Sequence, residues 1–511
     1  MDAREIAGMG TGLAEFLAEF GDCFGRSEPR EHLRTYVAGQ LSDVPRKSVE
    51  PIALRADVPP RTLQRFLESV EWDEVRLRNR MQRIVARDHA DPEAIGVIDE
   101  TGNPKKGKRT AGVKRQWCGN TGKVDNCVVS VHTGYVAGDF QCLLDSDVYL
   151  PEEWAADPVR RRAAHIPDDV VFRTKQEIAL DQIARGLANG VRVAAWTFDL
   201  PVRVRTQTGE FYGRDGAFLS GLDSLGQSYV AEVPSDFTGW VRLPRILLRP
   251  TAWELRKPGK LRRFPRLAVT AAPPSEVRRL LHHSTAFTRQ EWRAFHIKDS
   301  QKGPVVWEVK RADFYRKHAD GLPGPTHTLI VARNALDPKE VKYFVANVAA
   351  GGDPEKLNWL LHVAFSRFSI EHTFRQAKDE LGMDHFEVRG WRSIHRHLYV
   401  TQLSHLFCSR MRRSLREKNG RARRGDGRAS RVDRRARRVD GGAGPRRGLD
   451  LGGGPAPAAA RSVGPLSTDG ATDRLSPGTQ PTRPRGPSKE NPGVTDGPRH
   501  QHRSPTLVQA G

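Results

Sequence analysis

The sequence lacks several features that would assign it to a common class of protein. Its 511 residues include only five cysteines, and none of them forms a C-x-x-C pair. We therefore expect reduced thiols in a cytosolic protein and no zinc site. No run of about 18 apolar residues occurs, so no membrane span is expected, and the N-terminus has no hydrophobic signal core. The phosphate-binding loop motif G-x-x-x-x-G-K-[ST] is not present, so ATP binding is not indicated. The motif G-x-S-x-G, which carries the nucleophilic serine of α/β-hydrolases, is not present either.

Aromatic residues are absent from the last fifth of the chain. Residues 410–511 contain no Phe, Trp or Tyr, and 28 of these 102 residues are Gly or Pro. Such a segment buries too little apolar surface to offset its ordering entropy, so we predict a disordered basic tail. The change follows abruptly after "HLYVTQLSHLFCSRM". Two origins stay open: a reading-frame shift in a GC-rich gene, or a natural tail that adds non-specific DNA affinity.

The charge of the chain is strongly positive but unevenly distributed. The net charge is +22 and the isoelectric point is about 10.1, which is typical of a protein that binds polyanions. Residues 410–511 hold 23 Lys and Arg against 9 Asp and Glu, which leaves only +8 for residues 1–409. A nucleic-acid role therefore has to rest on particular side chains.

Residues 1–90 are predicted to form a helical DNA-binding domain. In "KSVEPIALRADVPPRTLQRFLESVEW" an apolar helix is followed by a turn at 57–60 and a second helix, and Pro60 suits the first helical turn. The pair resembles a helix-turn-helix with "RTLQR" as the recognition segment. An ordinary helical hairpin explains the pattern equally well.

The pattern changes to short apolar strands from residue 94 onward. "AIGVIDETG", "NCVVSVHTGYV", "DFQCLLDSDVYLP" and "VRVAAWTFD" read as strands, with helices between and after them. This order predicts an α/β fold with a mixed sheet flanked by helices over 91–234. Residues 235–355 read as a β-rich insertion with a hairpin around 301–303. Residues 356–409 then return to the core with a last acidic helix.

Three acidic residues stand at positions where such a fold could bring them together. Asp99 ends the first strand and Asp199 the fourth, whereas Glu371 shares one face of the last helix with Arg367 and Lys378. Three carboxylates in one pocket repel each other unless cations hold them, and Mg²⁺ is the usual hard ion for oxygen ligands. The alternatives are a surface row of ion pairs at Glu371 and an ordinary polar turn at Asp99.

Three blocks of the sequence resemble DDE transposases of bacterial insertion sequences, nearest to the branch known as DDE superfamily endonucleases. The blocks are "IDETGNPKKGKRTAGVKRQWCGNTGKVDNC", "WTFD…FYGRDG" and the R-x3-E-x6-K spacing within "RFSIEHTFRQAKDELGMDHFEVRGW". The resemblance covers roughly residues 15–408. It implies an RNase-H-like fold, a triad of Asp99, Asp199 and Glu371, and two Mg²⁺ ions, with Mn²⁺ as a substitute.

The resemblance also implies the reaction and the partners. A cut-and-paste transposase hydrolyses DNA at the element ends and joins the freed 3′-OH to target DNA, without ATP. It acts on double-stranded DNA in the bacterial nucleoid, at least as a dimer on DNA. Basic and aromatic side chains in the loop after the first strand and on the last helix are the predicted DNA contacts: Lys105, Lys106, Lys108, Arg109, Lys114, Arg115, Trp117, Arg367 and Lys378.

Some features depart from the family pattern. The ten residues "LPVRVRTQTG" follow Asp199, where family members run almost directly into "E-x-YG", and Asp215 is a rival second acid. Glu100 is a rival for Asp99, although strand alternation points it away. Ala364 stands where a Tyr is common. A catalytically inactive DNA-binding relic therefore remains an alternative, and a glycosidase with paired carboxylates is a further one, disfavoured by the basic loops.

Overall fold

The computed structural model describes residues 3–199, 216–256, 263–300 and 303–439, with backbone alone at 3–7, 253–254, 298–300 and 419–439. The helices in this part of the chain are α1 Ala3–Ala18, α2 Ser27–Gln40, α3 Val49–Arg55, α4 Pro60–Glu68, α5 Glu74–Asp88, α6 Glu152–Ala155, α7 Pro158–Ala163, α8 Lys175–Ala188, α9 Gly216–Ser224, α10 Ala252–Leu255, α11 Val277–His283, α12 Thr285–Thr288, α13 Pro354–Ser366, α14 Phe368–Arg375 and α15 Trp391–Val439. A 3₁₀ turn spans Gly21–Cys23 and a π-helical turn spans Gln376–Glu380.

The strands alternate with these helices from residue 95 to residue 346. They are β1 Ile95–Pro104, β2 Lys114–Cys118, β3 Lys123–Ala137, β4 Phe140–Val148, β5 Ala195–Phe198, β6 Tyr229–Val233, β7 Thr238–Trp240, β8 Ile246–Leu247, β9 Arg266–Leu267, β10 Ser275–Glu276, β11 Arg293–Ser300, β12 Gly303–Lys317, β13 Pro323–Asn334 and β14 Val341–Ala346. Twelve of them form one mixed sheet, and β8 pairs with β9 apart from it.

The strand order of the first half of the sheet is β4-β3-β1-β5-β6. Strand β3 is antiparallel to both β1 and β4, whereas β5 is parallel to β1 and to β6. This order and these directions are those of the expected RNase-H-like sheet, so the predicted mixed sheet flanked by helices is confirmed. The parallel pairing of β1 and β5 stops at Ile98 and Phe198, and the edge of the sheet at that point carries the candidate site.

The β-rich region 235–355 extends this sheet. Strand β14 pairs antiparallel with β6, and β13, β12 and β7 follow in order. Strands β11 and β12 pair as the predicted hairpin, with Ser300 opposite Gly303, while residues 301–302 of its turn lie outside the described residues. The insertion is therefore hydrogen-bonded to the core along a whole strand and does not form a separate layer.

The helices of residues 1–90 share one apolar core with the sheet and with α15. The predicted helix pair is present as α3 and α4: Asp57 turns the chain with φ 53°, and Pro60 begins α4. The hydroxyl of Tyr36 on α2 lies 3.0 Å from Nδ1 of His397 on α15. These contacts fix the N-terminal helices against the last helix.

Helix α15 continues past Arg410, the predicted start of the tail, and ends at Val439. Its sequence there is rich in Arg, which is a strong helix former. Residues 440–511, for which disorder is predicted, lie outside the described residues. Within the described ranges, no helix combines the length and apolar character needed to cross a membrane.

Candidate active site

Asp99 and Asp199 occupy neighbouring positions at the edge where β1 and β5 stop pairing. The last parallel partners are Ile98 and Phe198, and each acid is the next residue on its strand. Parallel neighbours lie roughly 4.8 Å apart, so this register brings the two backbones together at the acids. The predicted juxtaposition of strand ends is thus present, although β1 itself continues to Pro104 through its pairing with β3.

Glu371 reaches the same edge from helix α14. Ile370 and Phe374 are buried on the face of α14 that packs towards the sheet, and half of the Glu371 side chain is exposed. Gly134 on β3 allows this approach, because a Cβ there would lie 2.9 Å from Ile370 Cδ1 and 2.8 Å from a methyl group of Val97. The lack of a side chain at Gly134 therefore lets α14 pack closely against the sheet.

The three acids line one cavity of about 420 Å³. Its wall is formed by β1, by the β2–β3 turn, by the end of β5 and by the segment from α14 into the π-helical turn. The remaining lining residues are Glu100, Thr101, Gly102, Trp117, Gly119, Asn120, Val129, Arg367, Phe374, Arg375, Lys378 and Asp379. The three acids identified from the sequence thus line the same cavity in the folded protein.

Arg367 connects two of the three acids. It stands between α13 and α14, and its side chain is only 9% exposed. One guanidinium nitrogen lies 3.1 Å from Asp199 Oδ2, and the other lies 3.1 Å from Glu371 Oε1. These carboxylates, together with Asp99, raise the pKa of Arg367 despite its burial. The planar guanidinium fork suits such double pairing.

Burial disfavours the ionised forms of two of these acids. Desolvation raises the pKa of Asp99 to about 7, although the nearby Arg367 opposes the shift. Desolvation also raises the pKa of Asp199, and the carboxylate of Glu232 adds to this rise. Arg367 therefore does not fully offset the cost of keeping both aspartates ionised, and a bound cation would lower that cost.

The chemistry of the donor set fits a divalent magnesium or manganese ion. All three candidate ligands are carboxylates, and hard cations prefer such oxygen ligands. In the part of the chain that the structure describes, no three acidic, His or Cys side chains stand together at metal-ligand spacing. Arg367 lies between Asp199 and Glu371 in this arrangement. The residues therefore fit the ion in type and line one cavity, but they do not stand at metal-ligand spacing in this arrangement.

A known protein family matches the part of the chain that holds two of the three acids. The family model described as "DDE superfamily endonuclease" matches residues 19–304, which is more than half of the chain. The chain belongs to this family. The matched range includes Asp99 and Asp199, whereas Glu371 lies beyond it and is connected to them by the fold.

A relative of this DDE superfamily endonuclease carries a more specific name. The chain is 31% identical over 218 residues to the "Probable transposase for insertion sequence element IS701" of Microchaete diplosiphon. The aligned part covers 42% of this chain and 52% of the relative. The chain thus spans about half the length of this curated relative. An insertion-sequence transposase among its relatives agrees with the resemblance found in the sequence.

Lys378 is held inside the cavity. Its ammonium group donates to Thr101 Oγ1 at 2.6 Å and to Asn120 Oδ1 at 2.9 Å. The long helix predicted within residues 367–391 is interrupted, because it changes to π-helical pairing at Gln376, and π turns occur frequently at functional sites. Sequence reasoning missed Asn120, although it lies in the quoted "CGNTGKVDNC" block.

The predicted DNA-contacting segment is mostly accessible, and its last part forms strand β2. Lys106, Lys108, Arg109 and Arg115 are exposed. Lys114 pairs with a carboxylate of α6, Glu153, at 3.4 Å. Their contact with DNA stays a prediction, and their exposure leaves them free to reach a phosphate backbone.

Lys105 and Trp117 differ from the other residues of this loop. The Lys105 ammonium group donates to the carbonyl of Phe386 at 2.7 Å and lies 3.4 Å from the centre of its ring. Burial lowers the pKa of Lys105 to about 8. Trp117 lines the cavity itself. Lys105 therefore connects the start of this segment to the residues that follow the π turn. The indole of Trp117, on β2, gives the cavity an aromatic surface.

The rival acids and the departures from the family pattern can also be located. Glu100 forms an ion pair with Lys175 of α8 at 2.9 Å, and both side chains are less than one-fifth exposed. Ala364 is buried on α13. Asp215 and the ten residues that follow Asp199 lie outside the described residues. Glu100 is thus paired with a lysine that does not line the cavity.

Proposed function

We propose that the protein is a DNA transposase that hydrolyses phosphodiester bonds at element ends and transfers the freed strands to target DNA. The observation that carries this proposal is the register of β1 and β5, which brings Asp99 and Asp199 side by side in a cavity that Glu371 completes. Membership of an endonuclease family and a relative named as a transposase support the same chemistry.

Asp99, Asp199 and Glu371 would hold two Mg²⁺ ions, with Mn²⁺ as a substitute. When bound, such ions supply activation of the attacking oxygen and stabilisation of the leaving oxygen. The other cavity residues act on the DNA itself. Lys378 and Arg375 face the cavity with cations that suit phosphate oxygens, and the indole of Trp117 offers a surface on which a base can stack.

In each of the two steps one phosphorus–oxygen bond forms and one breaks. In the first, a water oxygen bonds to the phosphorus at the element end, and the 3′-oxygen leaves as a free hydroxyl. In the second, that hydroxyl attacks a target phosphorus, and the target's own 3′-oxygen leaves. The number of phosphodiester bonds is conserved in the second step, so no ATP is consumed. Joining two element ends requires at least a dimer on DNA. The protein would act on bacterial chromosomal DNA in the cytoplasm.

Glu371→Gln tests the proposal, because it removes one charge while keeping size and helix propensity nearly constant. Nicking of a duplex that carries the element end is measured in Mg²⁺, and we expect the rate to fall by orders of magnitude with binding retained. Asp379→Asn is the matched control, since Asp379 also lines the cavity and is exposed but is not a proposed ligand.

Each outcome bears on a different part of the proposal. Equal nicking by the wild type and Glu371→Gln would overturn the role of Glu371. A wild type that binds the end but never nicks it would overturn the catalytic activity, and would leave a DNA-binding relic. An equal reduction in Asp379→Asn would show that removing any carboxylate from the cavity has the same effect, which contradicts a triad.

A further inference from the structure

Arg367 holds a position unlike that of the other cations that line the cavity. Arg375 and Lys378 also line it, but Arg375 is exposed and Lys378 bonds to Thr101 and Asn120. Of these three cations, all within the described part of the chain, Arg367 alone forms ion pairs with proposed metal ligands, Asp199 and Glu371. It does so from a buried side chain, so solvent screens its pair with Asp199 less than its pair with the half-exposed Glu371.

The atoms that Arg367 contacts are oxygens of two proposed metal ligands. The 3.1 Å contacts end on Asp199 Oδ2 and Glu371 Oε1. A divalent ion between these carboxylates would lie within a few ångströms of the guanidinium, where two positive charges repel strongly at low dielectric. Metal binding and the present position of Arg367 therefore oppose each other on electrostatic grounds.

Without a cation, this arrangement of acids would be unstable. Asp99, Asp199 and Glu371 line one cavity, and like charges held together in a buried space raise the energy of the fold. Arg367 supplies the positive charge that holds Asp199 and Glu371 in their places. A side chain with this role keeps the ligands arranged before any ion arrives.

We propose that Arg367 is a placeholder cation, which occupies the site between Asp199 and Glu371 in the metal-free protein and leaves these carboxylates when a divalent ion binds. This inference rests on the proposed function, because it takes the three acids as metal ligands. A phosphate of bound DNA is the chemical group that then receives the guanidinium, since its oxygens match the same planar fork. Metal binding and DNA binding are thereby coupled through one side chain.

The test measures the affinity of the full chain for Mn²⁺ in the absence of DNA, by electron paramagnetic resonance of the free ion. Arg367→Gln removes the competing charge, so we expect Mn²⁺ to bind at least about tenfold more tightly than to the wild type. Arg367→Lys retains a cation that cannot fork between two carboxylates, so its affinity should fall between the two. Arg375→Gln removes a charge from the same cavity and serves as the control, with an expected change within about threefold.

Thermal unfolding provides a second readout that does not depend on activity. In EDTA, Arg367→Gln should have a lower Tm than the wild type, because the acids lose their counter-charge. Added Mn²⁺ should then raise the Tm of Arg367→Gln more than that of the wild type, as linkage to a tighter ligand requires. A structural role alone would lower the Tm with no gain from Mn²⁺.

The outcomes separate this inference from the proposed function. Mn²⁺ binding by Arg367→Gln that is equal to or weaker than wild-type binding overturns the placeholder role, even if the wild type nicks DNA. An equal gain in Arg375→Gln overturns it as well, since general charge would then explain the effect. Tighter binding by Arg367→Gln alone, with a wild type that does not nick DNA, supports the placeholder and rejects the catalytic proposal. No binding by any of the proteins overturns both.

Discussion

Replacing Arg396 by Met should destabilise the protein far more than its position on an arginine-rich helix suggests. The side chain is fully buried, and its guanidinium lies 4.4 Å from the centre of the Trp72 ring. It donates to the carbonyls of Phe66 at 3.1 Å and Val70 at 2.7 Å, and to the Glu74 carboxylate at 3.0 Å. Arg396 thus holds the connection between α4 and α5 against α15.

The magnitude follows from what the substitution leaves behind. Met fills the apolar volume but leaves several buried carbonyls without a donor, at about 1–3 kcal/mol each when no water replaces it. Removing one partner of a buried ion pair costs about 3–5 kcal/mol. Arg392 still holds Glu74 with an N–O distance of 2.5 Å, which moderates the effect. We therefore expect the free energy of unfolding to fall by about 4 kcal/mol.

The assay is urea unfolding followed by tryptophan fluorescence and circular dichroism. Arg392→Met is the matched control, because it removes an arginine that pairs with the same Glu74 but is 45% exposed. Exposed pairs contribute less than about 1 kcal/mol, so this variant should unfold nearly as the wild type does. Equal unfolding midpoints for Arg396→Met and Arg392→Met would refute the reasoning that burial decides the effect.

Two further predictions concern pH and salt. Burial lowers the pKa of His397 to about 4, so the unfolded chain binds the extra proton between about pH 6.5 and 4. This histidine alone should lower the free energy of unfolding by at most about 1.4 kcal/mol per pH unit as the pH falls through this window. Burial lowers the pKa of His89 and His405 to about 4 as well, so their effects add to it, and denaturation that is independent of pH in this window would contradict this. Replacing Lys106, Lys108 and Arg109 by Ala should make the log–log salt dependence of duplex binding shallower by about 0.9 for each phosphate that is no longer neutralised. Lys105→Met should instead lower stability, and an equal change of slope would count against its assignment to the fold.

The parts of the site that could be predicted from sequence are those governed by local pattern. An apolar run that ends in an acid identified Asp99 and Asp199, and each of them directly follows the last parallel partners, Ile98 and Phe198. The spacing of four residues placed Arg367 and Glu371 on one helical face, and they do form an ion pair. The turn before Pro60 followed from local turn chemistry in the same way.

The parts that could not be predicted depend on contacts between distant residues. The sequence does not show that β1 continues past Asp99, because Thr101 to Pro104 are strand only through pairing with β3. A run of lysines gives no sign that Lys105 turns inward to a carbonyl 281 residues later. The sequence also does not show that Arg367 forms an ion pair with Asp199 in addition to Glu371. Each of these facts is a property of tertiary packing.

The packing of α15 on the N-terminal helices has a consequence for how the chain folds. Tyr36 and His397 are 361 positions apart in the sequence, yet they are hydrogen-bonded in the core. At synthesis rates of roughly 5–20 residues per second, the partner of α2 emerges tens of seconds after α2 itself. During this interval the apolar faces of the first helices have no complete cover. A copy that stopped before α15 would keep the strands and both buried aspartates, and would still fail to assemble the core on which they rest.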